Sequence, residues 1–359
     1  MSNRGSVHKA FTVFITLAMA VMLSSCAQRS LGAPANTTAF DALPSNDTPV
    51  PTEILEKSYP RALISFAGDT VLSSIQGVSA YNSVYNSEGP EYFLSGVSDI
   101  FAHDDLTIVN LECPLTTATD RIDKGDEKDE DGKLIAFWFK APPEYVNILT
   151  SGSVEMCNLA NNHILDYGYE GLYETQQTLS NAGIDYFIWD DTIVKEINGI
   201  KIGFFGFSFD SNPNNIHAVM DQLRAEGAEV IVAYFHDGNE LEYYPNETQR
   251  AAAYTAIDYG ASAVLESHAH VIQGIEEYNG GFIAWSLGNF CYGGFTTAPD
   301  EDSMIVQLEF VRTNDGIVCN PSVIPCSNTS TPGIIDFRPT ILSGSEATRV
   351  LDKIAGLSK

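Results

Sequence analysis

Three polar clusters, Asn161-Asn162-His163, His236-Asp237-Gly238-Asn239-Glu240 and His268-Ala269-His270, each closely follow an apolar, β-favouring run. Four of the seven histidines therefore fall where strands would end. In an α/β sheet such ends gather at one edge, where ligand crevices form. Imidazole, amide and carboxylate groups converging there suit a divalent transition metal. The pattern points to a metal-dependent, hydrolase-like site.

The rest of the chain supplies the frame for that edge. Leu63–Ala67, Leu106–Val109 and Val154–Leu159 read as short strands running into Gly68-Asp69, Asn110-Leu111-Glu112 and the first cluster. Pro142-Pro143-Glu144 opens a helix, and Gly171–Asn181 presents Leu172, Thr175 and Leu179 on one face. Asn198-Gly199 joins Val194–Ile197 to Ile200–Phe205 as a hairpin with a type I′ turn. Ala218–Glu226 and Thr248–Tyr259 read as helices around the strand Glu229–Phe235. Val271–Tyr278 and Phe282–Trp285 form a second hairpin, and late strands cover Met304–Phe310 and Ile317–Ile324. Leu351–Leu357 reads as a terminal helix. Strand–helix alternation followed by hairpins predicts a mixed sheet, or two stacked sheets, covered by helices.

Each candidate residue has a bland reading beside the functional one. Asp69 sits in a Gly-Asp pair, common in turns, yet a carboxylate at a strand end can bridge two cations. Glu112 is an N-cap, an exposed turn residue or a ligand, and burying it is costly unless it is paired or metal-bound. Asn161-Asn162-His163 is either a plain Asn-rich turn or a site in which Asn162 offers an amide oxygen to a cation and His163 a proton to a leaving oxygen. Asp166 either orients His163 or caps the next helix. His268 and His270 are either a surface pair or, on an extended segment, two imidazoles facing one side, and His236 adds a third. Glu240 and Glu242 lie nearby. His103 and His217 read as surface residues.

The N-terminus reads as an export signal. Arg4 and Lys9 precede the apolar stretch Ala10–Leu23, which is too short for a comfortable membrane span. Leu23-Ser24-Ser25-Cys26 looks like a bacterial lipobox, with cleavage before Cys26 and lipidation of its thiol. Residues 27–60 then form a flexible tether. The expected organisation is a signal over 1–26, the tether, a folded domain over 61–328 and a C-terminal extension over 329–359 with a short helix packed on the domain. Removing residues 1–26 deletes two cations and no acid, taking the formal charge from −28 to −30. Such a field repels nucleic acid and anionic headgroups, so no nucleic-acid partner is expected and membrane attachment rests on the lipid. The acidic run Asp123–Asp131 reads as a solvated loop. Five cysteines follow Cys26; Cys113, Cys157 and Cys291 read as buried thiols, whereas Cys319 and Cys326 could bridge a hairpin in an oxidising compartment.

These residues also carry a family resemblance. Phe66-Ala-Gly-Asp-Thr70, Val109-Asn-Leu-Glu112, Phe139-Lys-Ala-Pro-Pro-Glu144 and Asn158-Leu-Ala-Asn-Asn-His163 with Asp166 and Gly168 begin it. Gly171-Leu172, Ala182-Gly183-Ile184, His236-Asp-Gly-Asn-Glu240, Ser267-His-Ala-His-Val271 with Gln273-Gly274, and Ser286-Leu-Gly-Asn-Phe290 complete it. Together they resemble the CapA-type poly-γ-glutamate capsule biosynthesis proteins, themselves similar to calcineurin-like metallophosphoesterases. The resemblance implies an α/β, metallophosphatase-like two-sheet β-sandwich flanked by helices (α/β/β/α).

It also implies roles. Asp69 would match the bridging carboxylate, Glu112 would stand near the second acidic motif, and Asn162 and His163 would give an amide ligand and a proton donor. His236, His268 and His270 would be the histidine ligands of one or two divalent ions, with Mn, Zn and Fe all open. Three positions depart from the superfamily pattern. Val71 stands where phosphoesterases usually carry a histidine, Ala269 replaces a common proline, and Asp237 replaces a frequent aromatic. The expected function is an exported, lipid-anchored protein of capsule or poly-γ-glutamate assembly at the outer face of a bacterial cell membrane, with a metal-dependent hydrolase-like site. Its partners would be an anionic polymer or phosphoester substrate and a membrane-bound polymer synthesis or export complex. The competing expectation is a non-catalytic surface protein that binds or guides the polymer.

Overall fold

A computed structural model describes residues 59–74, 79–125, 136–209, 211–295 and 298–358. Cys26, the signal over 1–26, nearly all of the tether and most of the acidic run lie outside the described residues. In chain order the strands begin with β1 (Arg61–Val71), β2 (Leu106–Leu111), β3 (Met156–Asn158) and β4 (Asp185–Phe187). Then come β5 (Ile193–Ile197), β6 (Ile200–Ser208), β7 (Val230–His236), β8 (Ala263–Ser267), β9 (Ile275–Tyr278) and β10 (Gly281–Ala284). The last are β11 (Asn289–Tyr292), β12 (Asp302–Arg312), β13 (Ile317–Ser327) and β14 (Thr340–Ile341).

They form two sheets. One runs β14-β13-β12-β1-β2-β3-β4 with β11 also paired to β1; the other runs β5-β6-β7-β8-β10-β9. Strands β1 to β4 are mutually parallel, as are β6, β7, β8 and β10. Parallel strands covered on both faces read as continuous apolar runs, and every residue of β2 and β7 is buried.

Between the sheets pack Ile64, Phe66, Phe204, Tyr234 and Leu265. Each such side chain is worth about 1.5–3 kcal/mol relative to exposure. Outside the first sheet, Val109, Leu111 and Leu159 meet Ile148, Leu149, Leu172 and Leu179 of the helices Val146–Ser151 and Gly168–Asn181. Outside the second, Phe205, Phe235 and Val264 meet Met220, Leu223, Ala253 and Ile257 of the helices Ile216–Ala225 and Glu247–Asp258. The layers are therefore helix, sheet, sheet, helix, as the sequence reading expected.

Local signals explain much of this. Asn198 and Gly199, at φ 49° and 80°, make the I′ turn between β5 and β6. Asn246 and Gln249 form a reciprocal capping box at the start of Glu247–Asp258. The terminal helix runs over Gly344–Leu357, longer than periodicity alone suggests, and buries Val350 and Ile354 in the inter-sheet core. Among the described residues no helix is long and apolar enough to cross a membrane.

Two expectations are corrected. Cys319 and Cys326 do not flank a hairpin turn; both lie on β13 and are free thiols. Seven residues of extended strand separate them by roughly 23 Å, far beyond disulfide reach. The hairpin arm expected over Val271–Tyr278 becomes strand only at Ile275. Cys113, Cys157 and Cys291 are buried, and burial pushes all three thiols upward, Cys291 to about 12.

Candidate metal centre

Five chain segments meet at the C-terminal edge of the parallel strands. Asp69 lies inside β1 rather than after it, because both β2 and β11 pair with the strand in parallel at this residue. Gly68 permits that pairing: a Cβ there would sit 1.9 Å from the Gly288 carbonyl oxygen. The Asp69 N–H donates to the same oxygen at 3.0 Å. Glu112 is one residue past β2, its N–H bound to the Thr70 carbonyl at 2.9 Å. His236 ends β7, and His268 and His270 follow β8.

The predicted ligands come together. The Asn162 Oδ1 is 2.9 Å from His236 Nε2, and His268 Nδ1 is 3.1 Å from the same nitrogen. Glu112 Oε1 lies 3.3 Å from His236 Nε2 and 3.9 Å from His270 Nε2. Asp69 faces His236 at 3.5 Å and His270 at 3.3 Å, and accepts the His268 N–H at 3.0 Å. Glu112 with His236 and His268, and Asp69 with Glu112 and His270, are groups whose ligand atoms all lie within 4.8 Å of one another.

His268 and His270 converge for a reason different from the expected extended alternation. Both have left-handed backbones, with φ 94° and 56°. Histidine visits this region uncommonly, so the surroundings hold the turn, and such strain concentrates at functional sites.

His163 stands apart from the imidazole cluster in its pairing. Its Nδ1 is 2.8 Å from Asp166 Oδ2, which also accepts the Phe139 N–H at 2.6 Å. Lys124 forms an ion pair with the other Asp166 oxygen. Asp166 therefore orients His163; it makes no side-chain cap on the helix Gly168–Asn181. His103 and His217 are exposed.

Sequence reasoning passed over three residues. Asn110 donates to Asp69 Oδ1 at 2.7 Å, lies 3.0 Å from His236 Nδ1, and accepts from Asn158 and Asn161 at 3.1 and 3.2 Å. A lone amide in the apolar run Leu106–Leu111 was its signal. Asn289, level with Asp69 on β11, places Oδ1 2.9 Å from His270 Nδ1. Lys124 had none, because it sits beside an acidic run and turns inward only in the fold.

The chemistry of the donor set fits a divalent cation. Glu112 is fully buried, and among the described residues its carboxylate meets no hydrogen-bonding group other than the imidazoles, His236 at 3.3 Å. An unsolvated carboxylate is costly unless a charge compensates it. In the metal-free protein that charge is protonic. Burial alone would lower His236 and His270, but Glu112 and Asp69 outweigh it and raise them to about 9 and about 10. His268 moves the other way, held well below its ordinary range by burial and by the two neighbouring imidazoles. Burial opposes ionisation of Asp69, yet the two histidines hold its carboxyl well below the usual value. The raised His236 and His270 thus carry positive charge beside Asp69 and Glu112, charge that a divalent ion held there would replace.

A pH dependence follows. The two raised histidines stabilise the metal-free fold fully below their ordinary 6.5, and this contribution is lost as pH rises through about 9 to 10. Cation binding needs neutral imidazoles, so it strengthens over the same window and releases protons. We expect metal-free melting temperatures to fall from pH 6.5 to 10 while the added stabilisation by Zn2+ grows. Titration calorimetry in buffers of different ionisation enthalpy reads the proton release, and its absence at pH 7 would contradict the charge exchange.

Comparisons with known proteins give the chain's relatives. Residues 63–293 match the family described as Bacterial capsule synthesis protein PGA_cap. The PGA biosynthesis protein CapA of Bacillus subtilis (strain 168) is 28% identical over 276 residues, covering 70% of this chain and 68% of the relative. The capsule biosynthesis protein CapA of Bacillus anthracis is 26% identical over 266 residues, covering 66% of this chain and 62% of the relative. Among solved structures, a 5'-nucleotidase from Candida albicans SC5314 aligns at 13% identity and TM-score 0.42 over 84% of this chain and 58% of its own. The sulfate thiohydrolase SoxB of Thermus thermophilus aligns at 13% and 0.41 over 82% and 60%. Likenesses this loose carry no assignment of activity.

Proposed function

The chain belongs to the bacterial capsule synthesis protein family PGA_cap, and from that premise we propose an exported, lipid-anchored protein of capsule or poly-γ-glutamate assembly that works as a metal-dependent hydrolase. The observation that carries the catalytic half is Glu112: a buried carboxylate that, among the described residues, meets no hydrogen-bonding group other than the imidazoles, set against His236, His268 and His270. A divalent cation held there would supply Lewis acidity toward a phosphoryl or acyl oxygen.

The protein's own residues do the rest. Asn162 and the imidazoles fix the geometry, with Asn110 and Asn289 orienting His236 and His270. His163, held through Nδ1 by Asp166, gives a proton to the departing oxygen or nitrogen. Lys124 and the Phe139 amide hold Asp166 as an acceptor, so the His163 ring keeps one orientation. The strong negative charge gives an anionic polymer no long-range attraction, and bound cations would offset that locally.

The test pairs cation content with turnover on a panel of phosphoesters and γ-glutamyl peptides, for wild type, His268→Ala and His270→Ala. Turnover that survives both substitutions rejects the catalytic assignment. Tight cation binding with no turnover instead supports a protein that holds or guides the polymer. One observation favours that second reading: Val71, two residues beyond Asp69, packs among Tyr81, Leu111 and Cys113 and offers no ligand. For the anchor, Cys26→Ala is expected to move the protein from the detergent phase to the aqueous phase, and an unchanged partition would remove the lipid from the proposal.

A further inference from the structure

The ladder between β5 and β6 stops early. Its last pair is Ile193 with Phe204, so residues 205–208 leave one edge of β6 without a partner strand among the described residues. The turn before β5 comes up to that edge. Ile188 and Asp191 exchange backbone hydrogen bonds at 3.1 and 2.8 Å, which puts Trp189 and Asp190 at its tip. Between this tip, β6 and the start of the helix Ile216–Ala225 lies a cavity of about 270 Å³. Pockets for drug-sized ligands begin at about 300 Å³, so this one suits a single small ring.

The cavity has an apolar floor and a polar rim. Phe205, Phe207 and Ile216 line it and are buried, whereas Asp190, Asn212 and Asn215 line it and are exposed. Asn215 stands at the N-cap of the helix, where an asparagine commonly accepts a backbone N–H. Its own backbone is already helical, at φ −81° and ψ −15°, and the side chain makes no cap bond. The amide is therefore left to the cavity. Trp189 packs against the core outside the first sheet and also lines the cavity. It is held there at φ 49°, a left-handed backbone that is an outlier for a bulky residue.

Charge decides which ligand class fits. The lining holds one carboxylate, Asp190, and no lysine, arginine or histidine among the described residues. The whole chain adds a formal charge of −28. A carboxylate or phosphate entering the cavity would meet repulsion and no counter-charge. γ-Glutamyl units and nucleotides are therefore poor occupants. A neutral ring with an apolar face and several hydroxyls is a good one. Its face covers the aromatic side chains, while Asp190 accepts and the asparagine amides donate and accept around its edge.

We propose that this cavity is a subsite for one residue of a neutral saccharide. It neighbours the metal centre: Ser208, the end of β6, is level with His236 on β7, and the Phe209 ring just beyond lies 5.2 Å from the His268 ring. A glycan held at β6 is thus kept beside the imidazoles. The saccharide itself calls for no cation, so the inference goes beyond the metal-centre reading and stands apart from it.

The experiment is calorimetric titration of the full-length protein, with and without chelator. The probes are the N-acetylglucosamine trimer, maltotriose, a γ-glutamyl trimer and adenosine monophosphate. At least one sugar is expected to bind, equally well in both conditions, and the two anions are expected not to bind in chelator. Binding of the N-acetylated trimer alone points to an amino-sugar glycan, and binding of both sugars to neutral glycans in general. Trp189→Ala is expected to weaken sugar binding about tenfold and Asn215→Ala about fivefold. Asn215 is exposed and has no cap bond to lose, so that variant decides the matter if Trp189→Ala fails to fold. His217→Ala, exposed on the same helix but outside the lining, should bind like wild type.

No binding of either sugar at millimolar concentration would overturn the proposal. So would wild-type affinity in whichever of Trp189→Ala and Asn215→Ala fold, or an equal loss in His217→Ala. Sugar binding that vanishes with chelator would move the ligand to the metal centre, and stronger binding of either anion in chelator would reject the neutral class. A protein that holds no cation leaves each of these outcomes readable.

Discussion

Glu112→Gln is expected to lose more than about 100-fold in affinity for a divalent cation, at least the loss that removing an indirect partner can cause. Glutamine keeps the shape of the side chain and removes its charge, so packing alone predicts no change. The wild-type carboxylate is fully buried and, among the described residues, meets no hydrogen-bonding group other than the imidazoles, with His236 at 3.3 Å. Glu112 is also the largest influence raising His236 against the cost of burial. In the metal-free variant the His236 titration, followed by NMR of the imidazole, should therefore move down from about 9. Unchanged cation affinity would remove Glu112 from the ligand set. A fallen histidine pKa with unchanged affinity would leave it a counter-charge only.

Gly68→Ala is expected to cost about 3 kcal/mol or more of metal-free stability, beyond the usual range for overpacking. The added Cβ would meet the Gly288 carbonyl oxygen at 1.9 Å and its carbon at 3.0 Å. Both belong to backbone, so no side chain can swing aside. Relief requires β1 and the segment before β11 to part, which breaks the Asp69 N–H bond to Gly288 and moves the Asp69 carboxylate. Denaturant unfolding of the chelated protein measures the first effect, and calorimetry with Zn2+ the second. A loss below about 1 kcal/mol would mean that this contact gives way easily and does not position Asp69.

Much of the centre is legible in the sequence. Glu112, Asn162, His236, His268 and His270 lie at or a few residues beyond strand ends and Asp69 two residues before one, and polar residues there interrupt apolar runs visibly. The Asn198-Gly199 turn and the helix Glu247–Asp258 were equally plain, because turn chemistry and capping are local. Strands β4 and β11 were missed. They are only three and four residues long, and neighbouring strands, not their own periodicity, keep them extended.

The residue types therefore decided by themselves that a helix-covered sheet would present carboxylate, amide and imidazole at one edge, since alternation, caps and turn dipeptides act within a few residues. Other features depended on contacts far apart in the chain. Asn110 became the hub joining Asp69 to His236, Lys124 turned inward to Asp166, and Cys319 and Cys326 were kept apart on one strand. The left-handed turns at His268 and His270 belong with them. A local pattern favours the extended form at those two histidines, and only the packing of β8 against β1 and the Asp69 carboxylate makes the strained one the lower in free energy.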